Sequence, residues 1–163
     1  MDPKPASDSI SVLSRWMGIG DANIAGNVHG GVILHMCDEV AGIAALRHSG
    51  HRCVTAGMDR MTFRDPVFVG SLVTVKATVN AAWRTSMEVG VRVESEDIRS
   101  GEVTHTSTAY LTMVALDDEG HPTGVPPVKP ETADEQRRGR EAQLRRDNRL
   151  AERRRIEEDR ARD

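Results

Sequence analysis

The spacing of the apolar residues restricts the fold of this chain more than any other feature. One segment has the apolar spacing of a helix, and several later segments have the alternation of strands. Between residues 32 and 48 apolar side chains recur at helical spacing in two adjacent stripes. The first stripe contains Ile33, Met36, Cys37, Val40 and Ala44, and the second contains Leu34, Ala41 and Ala45. A helix that is apolar nearly all round is a buried one, so the pattern predicts a buried helix over Val32–His48.

The chain changes after this helix to the alternation that is typical of strands. The predicted strands are Cys53–Phe63, Leu72–Ala82, Met87–Val93 and Val103–Leu116, with an earlier strand at Ser9–Trp16. Gly18–Gly31 is expected to be a long loop, and short turns separate the later strands. Consecutive strands with short connections favour an antiparallel sheet. One long helix must then pack on that sheet, which gives an α+β layer.

Composition divides the chain into one domain with two polar ends. We expect Met1–Asp8 to be disordered, residues 9–124 to form the domain, and residues 125–163 to form a proline-rich connector and a charged tail. From Glu131 onward the tail holds 11 Arg and 10 Asp plus Glu, and we expect it to be a solvated helix or disordered. This near balance argues against nucleic acid as a partner. A helix that binds a partner protein remains an alternative for the tail.

Cysteine usage and hydropathy indicate a cytoplasmic location. Cys37 and Cys53 do not make a disulfide framework, which fits a reducing compartment. The N-terminal residues lack the apolar core of a signal peptide, and no apolar run approaches the roughly 20 residues that span a membrane. The histidines and cysteines match no zinc spacing. We therefore predict no membrane association, no metal and no cofactor.

Asp38 is the one acidic residue that the apolar stripes of the helix do not explain. An ionised carboxylate on a buried helix costs several kcal/mol unless it is paired or hydrogen-bonded. Its helical neighbours are apolar or small and offer no partner. Either Asp38 is a satisfied polar residue of the core or it is catalytic, because buried carboxylates with perturbed pKa values cluster at active sites.

The loop before the helix adds groups that recognise a polarised oxygen. Asn27, His29, Gly30 and Gly31 come just before the helix, whose first N–H groups form an anion site. Gly31 and Asp38 differ in height by roughly 10 Å along the axis, so one chain does not clamp one carbonyl with both. Two helices related by a two-fold axis would solve this, which predicts an obligate dimer with shared sites.

Three segments carry a resemblance to a known family. They are DANIAGNVHGGVILHMCDEVAGIAALRHSG at 21–50, VTAGMDRMTFRDPVFVGSLVTV at 54–75 and RTSMEVGVRVESE at 84–96. In this order they resemble hotdog-fold acyl-CoA thioesterases of the cytosolic long-chain, or brain, acyl-CoA hydrolase type. The resemblance covers roughly residues 12–128.

The resemblance implies hydrolysis of fatty acyl-CoA to free acid and CoA by a hotdog fold, an antiparallel sheet wrapped around one long helix. It implies a double-hotdog homodimer, further assembled as a hexameric trimer of dimers. Asn27 and Asp38 of opposite subunits would be catalytic, with Asp38 either a general base or a nucleophile. Residues implied to bind substrate or the oxyanion are His29, Gly30, Gly31 and Thr55, and those implied to contact CoA are Arg84, Thr85 and Ser86. CoA enters as part of the substrate and not as a cofactor.

One departure from the resemblance and one competing function remain. Relatives usually carry glycine where this chain has Trp83, which alters the loop before the residues that would contact CoA.

The competing function is a non-catalytic acyl-CoA binding or sensing module on the same fold. Asp38 separates the two, because a pure binder has no use for a carboxylate at that position.

Overall fold

The computed structural model describes residues 1–162 and contains a five-stranded antiparallel sheet curled around one long helix, as predicted. The strands of this sheet lie in the order β2-β4-β5-β6-β3, and a separate pair joins β1 to β7. In chain order the elements are β1 (Lys4–Pro5), β2 (Ser11–Trp16), α1 (Gly30–Ser49), β3 (Arg52–Met58), β4 (Leu72–Ala82), β5 (Ser86–Asp97), β6 (Glu102–Leu116), β7 (Val128–Lys129) and α2 (Ala133–Arg160).

The core lies between the inner face of α1 and the inward side chains of β4, β5 and β6. The main stripe of α1 that the sequence predicts is buried throughout. Alternate strand residues meet it, as the two-residue period of a strand requires. The inward set includes Val73, Val75, Ala77, Val79, Met87, Val89, Val91, Val93, Ala109, Leu111 and Met113.

The structure corrects the expectation that α1 is buried all round. The side of the helix away from the sheet is exposed at His35, Asp38, Glu39 and Arg47, and Leu46 keeps 51% of its surface exposed. The physical reason is that one curled sheet covers only one side of a helix. Alanine and glycine also occupy much of the apolar pattern, and these small residues suit an open face as well as a core.

β3 forms a free edge of the sheet. It pairs with β6 on one side, with a bulge between Thr55 and Gly57, and its other side has no partner strand among the described residues. β3 ends earlier than predicted, at Met58, but the chain continues beside β6. The N–H of Arg64 donates to the carbonyl of Thr106 at 2.9 Å. β3 and the irregular segment at residues 59–64 that follows it along β6 therefore have no strand on their outer side within residues 1–162.

The N-terminal segment and the proline-rich connector are ordered on the domain, which corrects the expected disorder of Met1–Asp8. β1 pairs in parallel with β7 of the connector, and the ammonium of Lys4 donates to the carbonyl of His48 at 3.0 Å. A short 3-10 turn at Ala6–Ser9 follows. These contacts tie the N-terminal segment, and through it the connector, to the C-terminus of α1. The domain boundaries at 9 and 124 stay a prediction.

The charged tail forms a 28-residue helix, α2, that packs against the outer face of the sheet. The hydroxyl of Thr132 accepts from the N–H of Glu135 at 3.1 Å, and the carboxylate of Glu135 accepts from the N–H of Thr132 at 3.2 Å, which is a capping box. Ala142 is fully buried against the sheet. The expectation of a helix or a disordered segment thus resolves into a helix, but its inner face is packed and not solvated.

Buried ion pairs hold α2 in place. Glu88, fully buried on the outer face of β5, accepts two hydrogen bonds from the Arg145 guanidinium, at 3.1 and 2.7 Å. The same guanidinium lies 3.6 Å from the centre of the Tyr110 ring. The amide of Asn80 donates to Glu88 at 3.2 Å. A carboxylate removed from water in this way needs every one of these partners.

Candidate active site

The loop before α1 is fixed by buried Asp21. Its carboxylate pairs with the guanidinium of Arg15 and accepts from the N–H of Gly18 at 2.8 Å. Its backbone carbonyl accepts from the N–H of His29 at 2.7 Å, and Val28 donates to the carbonyl of Val67 at 2.8 Å. These hydrogen bonds fix the backbone of the loop, so its side chains have defined positions.

His29 is the N-cap of α1. Its Nδ1 accepts from the N–H of Gly31 at 3.1 Å, so this N–H is engaged and does not point freely into a site. The N–H of Gly30 donates to no group among residues 1–162 and is the free donor of the first turn. The Phe63 ring lies over Gly30, where an added Cβ would be 3.6 Å from it. Of the predicted oxyanion donors, Gly30 is thus the one left available.

Asp38 lies on the open face of α1 and contacts the edge strand. The hydroxyl of Thr55 donates to Oδ1 of Asp38, which leaves Oδ2 without a protein donor among the described residues. Both residues are exposed in the single chain. The structure therefore brings together Asp38 and Thr55, two of the predicted site residues, beside the unpaired edge of β3.

Asn23 is a candidate that the sequence interpretation missed. Its Oδ1 accepts from the N–H groups of Ala25, at 2.9 Å, and Asn27, at 3.3 Å. With its oxygen held by the backbone, its NH₂ group is aimed as a fixed donor. The predicted Asn27 accepts from the N–H of Asn23 through its backbone carbonyl, at 2.7 Å, and its side chain makes no hydrogen bond within the described chain. The two asparagines are thus parts of one turn.

Arg84 and Thr85 lie in the tight connection between β4 and β5, and Ser86 is the first residue of β5. No hydrogen bond among the described residues joins these three to Asp38. The carbonyl of Thr85 accepts from Ala115 at 3.0 Å. Trp83, just before them, donates from its indole N–H to Gln143 of α2 at 2.8 Å. Arg146 lies 4.3 Å from the centre of the same ring. The tryptophan that departs from the resemblance therefore anchors α2.

The thiol of Cys37 is unsuited to act as the nucleophile although it neighbours Asp38. Burial, and then the charge of Asp38, raises the pKa of Cys37 to about 12. Only the thiolate is nucleophilic, and at neutral pH this thiol stays protonated, so it cannot attack a thioester.

Metal ligands and membrane spans were predicted to be absent. Within residues 1–162 no three His, Cys, Asp or Glu side chains come together as metal ligands. None of the described helices is both long and apolar enough to cross a bilayer. The absence of a metal and of a cofactor stays a prediction.

Comparison with known proteins gives the same class as the fold. Residues 25–102 match the thioesterase superfamily. A hexameric acyl-CoA thioesterase in its apo form superposes with a TM-score of 0.90 at 36% identity, covering 93% of this chain and 97% of that one. The acyl-CoA hydrolase of Staphylococcus aureus, solved with butyryl-CoA, superposes with a TM-score of 0.87 at 35% identity, covering 97% and 95%.

A longer relative matches over one part of its length. The cytosolic acyl coenzyme A thioester hydrolase of Rattus norvegicus is 37% identical over 84% of this chain, which spans 36% of that protein. Together with the curled sheet and the central helix, these likenesses place the chain in the thioesterase superfamily. The predicted hotdog thioesterase fold and family are confirmed.

Solved variants of the S. aureus hydrolase give a spacing that can be compared with this chain. They carry alanine in place of one asparagine, one aspartate and one threonine; the asparagine precedes the aspartate by 15 residues and the threonine follows it by 17. In this chain Asn23 precedes Asp38 by 15 residues and Thr55 follows it by 17. Asn27 does not fit this spacing, whereas Asn23 does.

Proposed function

We propose that this chain hydrolyses acyl-CoA thioesters to a free acid and CoA. The observation that carries the proposal is the Asp38–Thr55 pair on the open face of α1, at the spacing of the aspartate and threonine replaced in the S. aureus enzyme. A carboxylate held through one oxygen keeps the other for chemistry. No core contact explains why an exposed aspartate should be fixed in this way.

The proposed reaction adds water across the thioester. Oδ2 of Asp38 removes a proton from water, whose oxygen attacks the carbonyl carbon. The tetrahedral intermediate then collapses, the C–S bond breaks, and the departing thiolate of CoA takes the proton from Asp38. In the alternative route, Asp38 attacks the carbonyl itself and water hydrolyses the resulting anhydride. The N–H of Gly30 and one asparagine NH₂ stabilise the oxyanion.

We further propose that each site is completed by a second copy of the chain. The free donor of Gly30 and the carboxylate of Asp38 are separated along one helix by about 12 Å. The open face of α1 and the unpaired edge of β3 lie together, as an interface between two copies requires. A two-fold axis there generates two identical sites. Three such dimers would form a hexamer like that of the solved neighbour.

The substrate, its CoA contacts and the location of the protein follow as parts of the proposal. Fatty acyl-CoA is the substrate class. Arg84, Thr85 and Ser86 contact its CoA portion, and the exposed guanidinium of Arg84 is accessible to a phosphate. We place the protein in the cytoplasm, in line with the cytosolic relative. CoA enters and leaves as substrate and product, so the reaction calls for no cofactor.

The first experiment measures thiol release from acetyl-, hexanoyl- and palmitoyl-CoA. We expect Asp38→Asn to lower kcat by a factor of about 10³ or more while CoA affinity, measured by calorimetry, changes little. Glu39→Gln is the matched control, because Glu39 is an exposed neighbouring acid on the same helix, and it should retain turnover. If the wild-type chain binds CoA but hydrolyses none of the three substrates, the chain is an acyl-CoA binding module and the proposal fails.

A second experiment separates the two asparagines. Asn23→Ala removes the aimed donor, and we expect kcat to fall by about 10²-fold or more, the usual cost of one oxyanion donor. Asn27→Ala keeps the backbone bonds of the turn, so turnover should fall much less. Since Asn23 also braces the loop, Asn23→Asp keeps the acceptor oxygen for the turn and replaces the NH₂ donor by a negatively charged oxygen, so it should be at least as damaging as Asn23→Ala. Full loss in Asn27→Ala with activity intact in Asn23→Asp would assign the role to Asn27.

A further inference from the structure

α2 crosses the outer face of the sheet in a fixed direction. Near its start Gly139 packs on the carbonyl of Asn80 in β4, where an added Cβ would be 3.5 Å away. Arg145 then binds Glu88 of β5, and Arg149 binds Asp59, just after β3, at 2.7 Å. The helix thus runs from β4 over β5 and β6 to the free edge of β3.

The last two turns of α2 extend past this edge. The helix reaches the edge at Glu152, which contacts Arg60 at 3.3 Å, and continues to Arg160. These eight residues add about 12 Å, because a helix rises 1.5 Å per residue. Strands are about 4.8 Å apart, so the helix extends over two strand positions that this chain does not fill. Every residue from 152 to 162 is exposed. We call residues 153–160 the overhang.

The sheet-facing stripe of α2 continues into the overhang. Ala142, Arg145, Arg149 and Glu152 occur at intervals of three and four residues and contact the sheet or residues beside it. Ile156 comes four residues after Glu152 and holds the next position of this stripe. It keeps 46% of its surface exposed because the sheet beneath it has ended.

The free edge offers a matching surface. Val54 of β3 pairs with Val114 of β6, whose neighbours Met113 and Ala115 point inward, so Val54 points outward; it is 43% exposed. Ala56 and Gly57 are exposed small residues on the same strand. Val54 and these exposed small residues form a shallow apolar strip that the chain's own α2, which crosses at residues 59–60, leaves uncovered.

Symmetry brings the strip and the overhang together. We place the two-fold axis of the proposed pairing at Met58, the last residue of β3 and the middle of residues 52–64. Two copies paired antiparallel about that residue place Asp59 and Arg60 of one opposite Gly57 and Ala56 of the partner subunit. A helix that crosses its own edge above Asp59 and Arg60 therefore continues above Ala56 and Gly57 of the partner subunit.

We propose that the overhang is an intersubunit strap: Ile156 packs on Ala56, Gly57 and Val54 of a second copy of this chain, and the partner's strap returns the contact. The proposal rests on the dimer of the proposed function, which it deepens by naming a contact outside the active site. Small residues at the receiving strand allow the helix to approach the backbone closely, as Gly139 does in β4.

Disulfide trapping tests the strap directly. In a Cys53→Ser background, which removes the half-buried thiol, Ile156→Cys is combined with Gly57→Cys; an added Cβ at Gly57 meets no atom within 4 Å. Mild oxidation should produce a covalent dimer on a denaturing gel. Leu144→Cys with Gly57→Cys is the matched control, because Leu144 is exposed on the docked half of α2 away from the edge. It should remain monomeric on the gel.

The possible outcomes separate the strap from the enzyme. A covalent dimer in the test pair alone supports the strap. If the wild-type protein is dimeric and active but the test pair gives no dimer, or only a link within one chain, the strap is wrong and the proposed function stands. If the wild-type protein is a monomer, the proposed dimer itself has failed.

A dissociation measurement adds a second, independent test. Ile156→Asp should raise the dimer dissociation constant about ten- to hundredfold by sedimentation at nanomolar concentrations, because two symmetric apolar contacts are lost. Leu144→Asp should leave this constant within about twofold. Equal effects of the two substitutions would contradict the strap.

Discussion

The hydroxyl of Thr55, on the edge strand β3, donates a hydrogen bond to Oδ1 of Asp38, in the middle of α1. This bond ties the candidate catalytic carboxylate to the strand at which a second copy would pair. Thr55 therefore positions Asp38, and a change at β3 would affect the proposed chemistry without replacing the carboxylate.

Replacement of Thr55 by valine should lower turnover. Valine keeps the shape of threonine but removes the hydroxyl, so the carboxylate loses the hydrogen bond that orients it. We expect kcat to fall about ten- to hundredfold with KM little changed. Thr55→Ser retains the hydroxyl and should recover most of the rate. Equal kcat values in Thr55→Val and the wild type would show that the bond has no role in orienting Asp38.

The contact between Glu88 and Arg145 predicts a stability effect far from the site. Glu88→Ala leaves the guanidinium half-buried without its carboxylate, and we expect the free energy of unfolding in urea to fall by about 2–4 kcal/mol. In limited proteolysis of this variant, α2 should be cleaved earlier than the strands of the sheet. Asp134→Ala is the matched control, since this exposed acid pairs with Arg137 on the surface of α2 and has no contact with Arg145, so the free energy of unfolding should change little.

A double replacement distinguishes a lost pair from a lost fold. Glu88→Leu together with Arg145→Leu removes both charges and fills the space with apolar atoms, so most of the stability should return. If the double variant is as unstable as Glu88→Ala, the charge pair does not explain the docking of α2.

Much of the sheet and of α1 could be predicted from the spacing of the apolar residues alone. Leu72–Ala82 has the predicted bounds in the structure, and α1 exceeds its predicted range by two residues at the start and one at the end. Strong alternation and turn chemistry are local properties, so one sequence is enough to recognise them. The end of β3 was less predictable, because the chain beyond Met58 keeps a strand-like sequence at an edge without a partner.

The position of α2 could not be predicted, because it depends on pairs far apart in sequence. In the sequence, Glu88 is one polar residue of an alternating strand, and Arg145 is one of 11 arginines in the tail. Only the fold shows that these two residues meet. The exposure of Asp38 has a similar cause: its helix faces a place where this chain supplies no cover.

The buried thiol of Cys37 should be inert and dispensable for hydrolysis. Burial raises the pKa of this thiol to about 12, so it stays protonated at the pH of the assay. We expect iodoacetamide to leave Cys37 unmodified in the native protein, as read by mass spectrometry. Cys37→Ala should keep kcat within a few-fold of the wild type. Loss of turnover in step with alkylation of Cys37 would instead assign the chemistry to the thiol.

Protonation of His48 should destabilise the fold in acid. Its side chain is fully buried, Nε2 lies 2.9 Å from the carbonyl of Pro126, and Nδ1 has no hydrogen-bond partner in the described chain. Burial lowers the pKa of His48 below its ordinary value, an effect that the bond to Pro126 opposes in part and the charge of Lys4 reinforces. The unfolded chain therefore binds this proton more readily than the folded one.

The sign of the pH dependence follows from linkage. The stability contributed by neutral His48 is present above the ordinary histidine pKa of about 6.5 and is lost as the pH falls toward the lowered pKa of the folded state. Urea unfolding at pH 7.5 and pH 5.5 should show a smaller free energy of unfolding at the lower pH. His48→Gln should weaken this dependence, whereas exposed His121→Gln should preserve it; an unchanged slope in His48→Gln would assign the acid sensitivity to another group.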